Sequence, residues 1–393
     1  MTTYYAYPGV ENLIGGAGDD QFVIASGTLD AGDRFTGGSG LDTLVLQSDR
    51  SELYLTTISS IEALQFTNPT GDFNNRQTAY IYDSQFGAGL SNALTLYVPQ
   101  AGSYYITVGV TGANFSAAAW APDPAGSGHF SLLLIAGSGA NTTLAGVTWA
   151  PNTIWGNSGN NTLIGGDFAD TFVGRFGGVN TFRGGKGDDE YNVQSYSDSA
   201  IELAGGGIDT LNTYDMPGYT LPANVENLSV FFDVVHYFHY VGIGNALDNR
   251  FVGAGLDARF YGLVGDDEFH GYGTNVFTGG QGADRFYAEA TNPASDGAAN
   301  LVADFNRSEG DEIYISKSGW RSFYDILDAS SDSAGGVIIR LDAKSSIQLQ
   351  GVSRAQLKPT DFSLNGLLPF LQVPGDFTAD NIADVMWERV PAI

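Results

Sequence analysis

A nine-residue unit, Gly-Gly-x-Gly-x-Asp-x-U-x with U a large apolar residue, recurs along the 393-residue chain, and any fold must accommodate it. Complete copies begin at Gly15 (GGAGDDQFV), Gly37 (GGSGLDTLV), Gly184 (GGKGDDEYN) and Gly279 (GGQGADRFY). Degenerate copies begin at Gly156, Gly165, Ala204, Gly244, Gly253 and Gly262, so residues 244–287 form a nearly unbroken block. Six turn residues followed by a short strand bring the chain back to the same side every two units. Units two apart then stack at the strand spacing of about 4.8 Å, which predicts an all-β, parallel coil. The U positions Phe22, Leu44, Leu163, Phe172, Phe182, Tyr191, Phe251, Phe260, Phe269 and Phe286 are expected to file through its interior as core.

The turns carry the chemistry. Glycine allows positive φ and leaves carbonyls bare, while the sixth-position Asp supplies charge. Calcium takes about six to eight oxygen ligands at about 2.3–2.6 Å, a shell that two stacked turns can build and one cannot. These copies resemble the RTX (repeats-in-toxin, hemolysin-type) calcium-binding nonapeptides. The resemblance implies a right-handed parallel β-roll or β-solenoid holding several Ca2+ ions. The expected metal-binding positions are Gly15, Gly16, Gly18 and Asp20; Gly37, Gly38, Gly40 and Asp42; Gly165 and Asp170; Gly184, Gly185, Gly187 and Asp189; Asp209; Gly265 and Asp267; and Gly279, Gly280, Gly282 and Asp284. Stacking two units apart pairs Asp170 with Asp189, Asp267 with Asp284, and Asp189 with Asp209. Fifth-position Asp19, Asp188 and Asp266 are expected to face solvent. A metal-free reading, in which these Asp residues only cap turns, stands beside the calcium one. Sixth-position Asn161, Asn180 and Asn249 favour a hydrogen-bonded ladder, and Ala258 is expected to bind nothing.

Composition narrows the function. With 44 acidic against 17 basic residues the net charge is −27, which makes nucleic acid and anionic membranes poor partners. Glycine, at 53 residues, is about twice its usual share of roughly 7%. The absence of cysteine excludes disulfides, thiolate nucleophiles and thiol zinc sites. No apolar run is long enough for a transmembrane segment, and Met1–Val10 lacks the basic and apolar parts of a secretory signal. Family members usually leave through a type I exporter that reads an uncleaved C-terminal signal, so the resemblance implies an extracellular or cell-surface location.

Five regions follow: N-terminal coils at 1–47; a β-rich stretch at 48–150, either continuing solenoid or an inserted sandwich; a roll at 151–316; a cap at 317–368; and a tail at 369–393. Alternating runs such as YYITVGV (Tyr104–Val110) and FSLLLI (Phe130–Ile135) mark the second region. A short helix at Ser322–Ala329 and a strand at Gly336–Leu341 are expected to cover the open end. The tail GDFTADNIADVMW resembles the opening of an FG-GAP repeat, with Asp376, Asp380 and Asp384 as calcium ligands and Thr378 weakening the loop.

No H-E-x-x-H or G-x-S-x-G motif is present, and the four histidines, His129, His236, His239 and His270, share no metal-binding spacing. No catalytic residue is assigned. The chain is expected to be a secreted, non-enzymatic calcium-binding protein with a structural or interaction role. One alternative is an accessory module of a larger secreted protease, lipase or alginate epimerase. Another is a polysaccharide-binding or self-assembling surface-layer component, for which Tyr4, Tyr5, Tyr104, Tyr105, Trp120, Trp149 and Trp155 are the candidate contacts.

Overall fold

The computed structural model describes residues 1–364 apart from 68–75, 88, 100–101, 124–128, 138, 140, 176–177, 215, 232–238, 255–257, 290–298 and 317–319. Two compact units emerge, Met1–Leu211 and Asn212–Ile393.

In the first unit the period-two alternation and the nonads give the same result, strands stacked parallel in two walls. One sheet runs Thr2–Tyr5, Asp20–Ile24, Thr43–Leu46, Ile61–Phe66, Leu90–Tyr97 and Ala121–Pro122, in that order. Asn12–Ile14, Arg34–Thr36 and Thr57–Ser59 form its partner, and Phe22 meets Phe35 edge-on at 6.2 Å between the walls. Farther along, Arg50–Ser51, Arg76–Tyr82, Ser103–Val110, His129–Ala136, Asn152–Trp155, Thr171–Val173 and Glu190–Val193 are consecutive neighbours. Asn114–Ser116, Thr142–Ala145, Asn161–Ile164, Asn180–Arg183 and Ser199–Ile201 make the opposite wall. The stretch at 76–145, which lacks the nonads, thus continues the parallel coil with longer strands. Tyr104, Ile106, Val108 and Val110 register on Phe130, Leu132, Leu134 and Ala136, and all eight side chains are buried.

The second unit repeats the plan. Asn227–Phe231, Arg250–Ala254, Glu268–Tyr272, Arg285–Glu289, Glu312–Ser316 and Phe362–Leu364 form one parallel wall. Gly218–Thr220, Val241–Ile243, Ala258–Val264, Asn275–Gln281, Ala299–Val302 and Ser346–Gln350 form the other. The last of these joins an antiparallel hairpin, Ser330–Ser333 with Gly336–Arg340, and the helix Phe323–Asp328 precedes it. Asp325 Oδ2 accepts the Ser322 amide at 2.8 Å and so fixes where that helix begins.

All ten expected U side chains are fully buried. Register puts like on like: Phe251 stacks on Phe269 at 5.0 Å and Phe269 on Phe286 at 5.2 Å, with nearly parallel rings. Phe277 closes the file from the facing wall at 5.4 Å from Phe269. Replacing Phe269 with Ala opens a ring-sized hole in this file and is expected to cost about 3–5 kcal/mol. Urea unfolding in saturating calcium measures it, and a cost under about 1 kcal/mol would contradict the packing described.

Candidate metal centre

On most rungs one side of the roll carries a carboxylate and the other an amide. Each strand is entered through a turn whose sixth residue lies two before a buried U position, and these residues stack in rows. In the first unit, Asp170, Asp189 and Asp209 make one row and Asn161, Asn180 and Asp198 the other. In the second unit the rows are Asn249, Asp267, Asp284 and Asp311, and Ala258, Asn275 and Asn300. The N-terminal coils stack Asp20, Asp42 and Glu62 on one side and place Asp33 on the other.

Along the carboxylate rows, each sixth-position Oδ1 accepts the amide of its counterpart one coil earlier. Asp20 N donates to Asp42 Oδ1 at 2.8 Å, Asp170 N to Asp189 Oδ1 at 2.7 Å, Asp189 N to Asp209 Oδ1 at 2.9 Å and Asp267 N to Asp284 Oδ1 at 3.0 Å. The expected neighbours Asp170–Asp189, Asp189–Asp209 and Asp267–Asp284 are therefore adjacent. The second oxygens of Asp42, Asp189, Asp267 and Asp284 are buried and accept no hydrogen bond. Asp20 and Asp170 differ, because their Oδ2 atoms accept the amides of Gly16 and Gly166 at 2.7 and 2.6 Å.

The glycines keep the space beside these oxygens clear. A β-carbon on Gly37, Gly184, Gly262 or Gly279 would collide with Oδ2 of Asp42, Asp189, Asp267 or Asp284. At Gly37 it would also strike Ser60 O, and at Gly262 Gly279 O, so a carboxylate oxygen and a carbonyl of the next coil converge on one point. Gly280 and Gly282, at φ +106° and +137°, hold the turn in the left-handed region, where any side chain would also meet the backbone of Leu263 and Gly265. Buried oxygens without a donor beside bare carbonyls form an all-oxygen set that suits a hard cation. The donor set fits calcium, with Asp42, Asp189, Asp267 and Asp284 as the carboxylates that would hold it.

Among the described residues, Asp189, Glu202 and Asp209 form a cluster whose ligand atoms lie within 4.8 Å of one another, all three side chains buried. The Tyr191 hydroxyl donates to Glu202 Oε1 within it. Glu202 was outside the expected set because it follows a strand rather than sitting in a nonad. Glu62, Asp198 and Asp311 were also outside it, yet each lies two before a buried residue, Leu64, Ala200 or Ile313. That three-residue signal survives where the glycines are lost. Asp304, whose two oxygens accept the Gly279 and Gly280 amides at 3.0 Å, carries no such signal.

Electrostatics match the crowding. Burial, reinforced by repulsion from neighbouring carboxylates, pushes Asp189 and Asp267 up to about 8 and Asp284 and Glu202 to about 7. Asp170 and Asp311 rise to about 6, with burial again the main cause. Asp42 is raised by burial, whereas the Gly16 amide holds Asp20 below its ordinary value.

The amide rows close without a cation. Asn161 Nδ2 donates to Asn180 Oδ1 at 2.7 Å, Asn180 Nδ2 to Asp198 Oδ1 at 2.9 Å, and Asn275 Nδ2 to Asn300 Oδ1 at 3.0 Å. Asn161 Oδ1 is left open at the first rung. Asn249 departs from this row. It sits on the carboxylate side and sends its amide to Glu226 O at 3.2 Å. Ala258 offers only its backbone, to Asn275 Oδ1 at 3.3 Å.

Fifth-position Asp19, Asp188 and Asp266 are exposed, but they also bind: each accepts the amide of the fifth residue one coil later, Leu41, Ile208 or Ala283, at 2.8–2.9 Å. An outer ladder therefore runs opposite in direction to the inner one. Of the aromatic candidates, Tyr104 and Trp120 are core, packed on Phe66 and Phe86. His129 and His239 are exposed and His270 stacks on Tyr287 at 3.8 Å, while His236, Asp376, Asp380 and Asp384 lie outside the described residues.

The RTX calcium-binding nonapeptide repeat model matches four times, at residues 5–23, 151–172, 252–286 and 271–292, so the chain carries these repeats. A curated endo-1,3-1,4-beta-glycanase, ExsH of Rhizobium meliloti (strain 1021), is 52% identical over 46 residues, 12% of this chain and 10% of that protein. The chain thus spans about a tenth of that relative's length. The crystal structure of extracellular lipase LipA from Serratia marcescens aligns with 76% of this chain and 47% of its own at 15% identity, with a TM-score of 0.21, too loose to carry an argument.

The raised carboxylates set a pH dependence. Their folded values exceed the roughly 4 of an unfolded chain, so the metal-free fold keeps protons that the unfolded chain releases. That stability is complete below about pH 4 and is lost as pH rises through about 6 to 8. In chelator, the urea midpoint should fall between pH 5 and pH 8, and saturating calcium should remove or reverse the fall. A midpoint that rises with pH in chelator would contradict the site described.

Proposed function

We propose that this chain is a secreted, non-catalytic calcium-binding β-roll whose folding is switched by extracellular calcium, with a structural or interaction role at the cell surface or in the extracellular matrix. The observation that carries the reading is the row of buried Asp oxygens without a donor, each facing a glycine-lined space. In a calcium-poor cytosol these carboxylates repel one another and the coils stay loose for export by a type I route. Calcium supplies a double positive charge that lets the carboxylates ionise together. The residues do the rest: the Oδ1 ladder fixes the rotamer of each Asp, the glycines admit the ion, and the aromatic file aligns successive turns. Extracellular modules bind calcium at about 0.1–1 mM, so a tenfold excess contributes roughly 1.4 kcal/mol per site.

A second reading, an accessory part of a larger secreted enzyme, draws on the short stretch shared with a bacterial glycanase. Peptide mapping of the secreted species distinguishes the two readings, since the second expects a catalytic domain in the same polypeptide and the first does not.

Calcium titration of chelated protein, followed by far-UV circular dichroism, tests the switch. The β signal should rise cooperatively at submillimolar to millimolar calcium and not with equimolar magnesium. Asp189→Ala and Asp284→Ala should each shift the midpoint upward by about threefold or more, whereas Asn180→Asp should not raise it. An unchanged spectrum in verified metal-free protein would rule the switch out.

A further inference from the structure

The first unit carries a cleft that the calcium reading does not use. Two adjoining pockets, about 560 and 400 Å³, share Ala136 and Gly137 as a common wall on the outer face of the sheet. Both volumes lie in the range of small-ligand sites, about 300–1,000 Å³. Strand register builds the floor, with Tyr82, Gly109, Ile135, Trp155 and Val173 successive partners across five strands. Tyr82 and Trp155 are three strand steps apart, about 14 Å. Gly109 lets the Tyr82 ring lie down on the sheet between them, since a β-carbon there would strike that ring. Tyr54 extends the aromatic surface at 5.2 Å from Tyr82.

Charge marks the two ends. Arg175 lies over the Trp155 ring at 5.6 Å, and among the described residues it makes no ion pair. Arg50 lies over Tyr80 at 4.5 Å beyond Tyr82 and is paired with Glu52 at 2.7 Å. In a chain with 44 acidic and 17 basic residues, none of the described residues lining either pocket is acidic and two are arginines. Acids beside the lining are already engaged: Asp83 accepts Thr111 Oγ1 at 2.8 Å and the Gly112 amide at 2.7 Å, and Asp198 accepts the Gln194 amide at 3.2 Å.

We infer that this cleft binds an acidic oligosaccharide, with sugar rings lying against Trp155 and Tyr82 and a carboxylate meeting Arg175, since Arg50 is already paired with Glu52. The flat C–H face of a pyranose carries weak positive charge and packs on the negative face of an aromatic ring. A guanidinium offers a fork that fits a carboxylate in two-point contact. Gln194 and Thr107 add polar side chains along the walls, whereas Asn157 is spent on Gly137 O, Thr142 Oγ1 and the Gly159 amide. A neutral glycan would leave Arg175 unused, and an acidic peptide would leave the flat rings uncovered. The inference goes beyond the calcium-switch reading, since none of the cleft residues is a candidate ion ligand.

Isothermal titration of the full chain in saturating calcium tests it, with a hyaluronan hexasaccharide as the acidic probe and cellohexaose and hexaglutamate as comparators. The acidic sugar should bind, and both comparators should bind at least about tenfold more weakly. Arg175→Ala and Trp155→Ala should each weaken the acidic sugar about tenfold, as truncated Arg and Trp contacts do at binding sites. Trp155→Phe should keep most of the affinity, and Arg285→Ala, elsewhere on the surface, should change nothing. Circular dichroism of each variant verifies its fold. Equal binding of cellohexaose that survives Arg175→Ala would overturn the requirement for acid, and equal binding of hexaglutamate would overturn the requirement for sugar. No binding by folded wild-type protein would overturn the site itself.

Discussion

A buried carboxylate with one oxygen in a hydrogen bond and the other bare has to acquire a proton or a cation. In this roll that condition recurs at Asp42, Asp189, Asp267 and Asp284. An asparagine in the same place carries its own donor, and Asn161, Asn180 and Asn275 use it to bond the next rung. Oxygen or amide at one position therefore decides whether a row of turns closes on itself or needs an ion. The outer ladder of Asp19, Asp188 and Asp266 adds amide bonds of opposite direction, so successive turns are tied on both sides of each candidate site.

The same geometry explains why ion binding and folding are linked. The converging oxygens at Gly37 and Gly262 come from successive coils, Asp42 Oδ2 with Ser60 O and Asp267 Oδ2 with Gly279 O, so neither coil alone holds the set. The buried rings do the complementary work. Phe251, Phe269 and Phe286 stack in register and hold the coils at the spacing the turns require. Apolar stacking is present whatever the ion content, whereas the carboxylate rows resist compaction until their charge is met. A coil of this kind responds to calcium most strongly where carboxylates outnumber amides.

Much of this was legible in the residues. The glycines and the Asp two before each U position located the coils, the core file and the neighbours Asp170–Asp189 and Asp267–Asp284. The sorting of carboxylates and amides onto opposite sides was harder to see, because it depends on counting alternate units through irregular stretches. Glu202 was not visible at all, since it joins Asp189 and Asp209 only after the chain has passed along the facing wall. Asp304 escaped for a similar reason, reaching Gly279 and Gly280 from a loop without a nonad. Tyr104 and Trp120 looked like surface contacts by residue type, but strand parity turns Tyr104 inward and Phe86 and Phe115 enclose Trp120. Trp155 was a candidate contact by residue type, but its placement in one cleft with Tyr82 depended on register between strands far apart in sequence, which no local pattern encodes.

The central claim is that the carboxylate row, and not the amide row, needs calcium. Long-wavelength anomalous diffraction from crystals grown in calcium addresses it directly by locating the ions. The account predicts peaks beside the bare oxygens of Asp189 and Asp284 and none beside Asn180 or Asn275. Peaks along the amide rows, or an empty carboxylate row in calcium-saturated crystals, would contradict it.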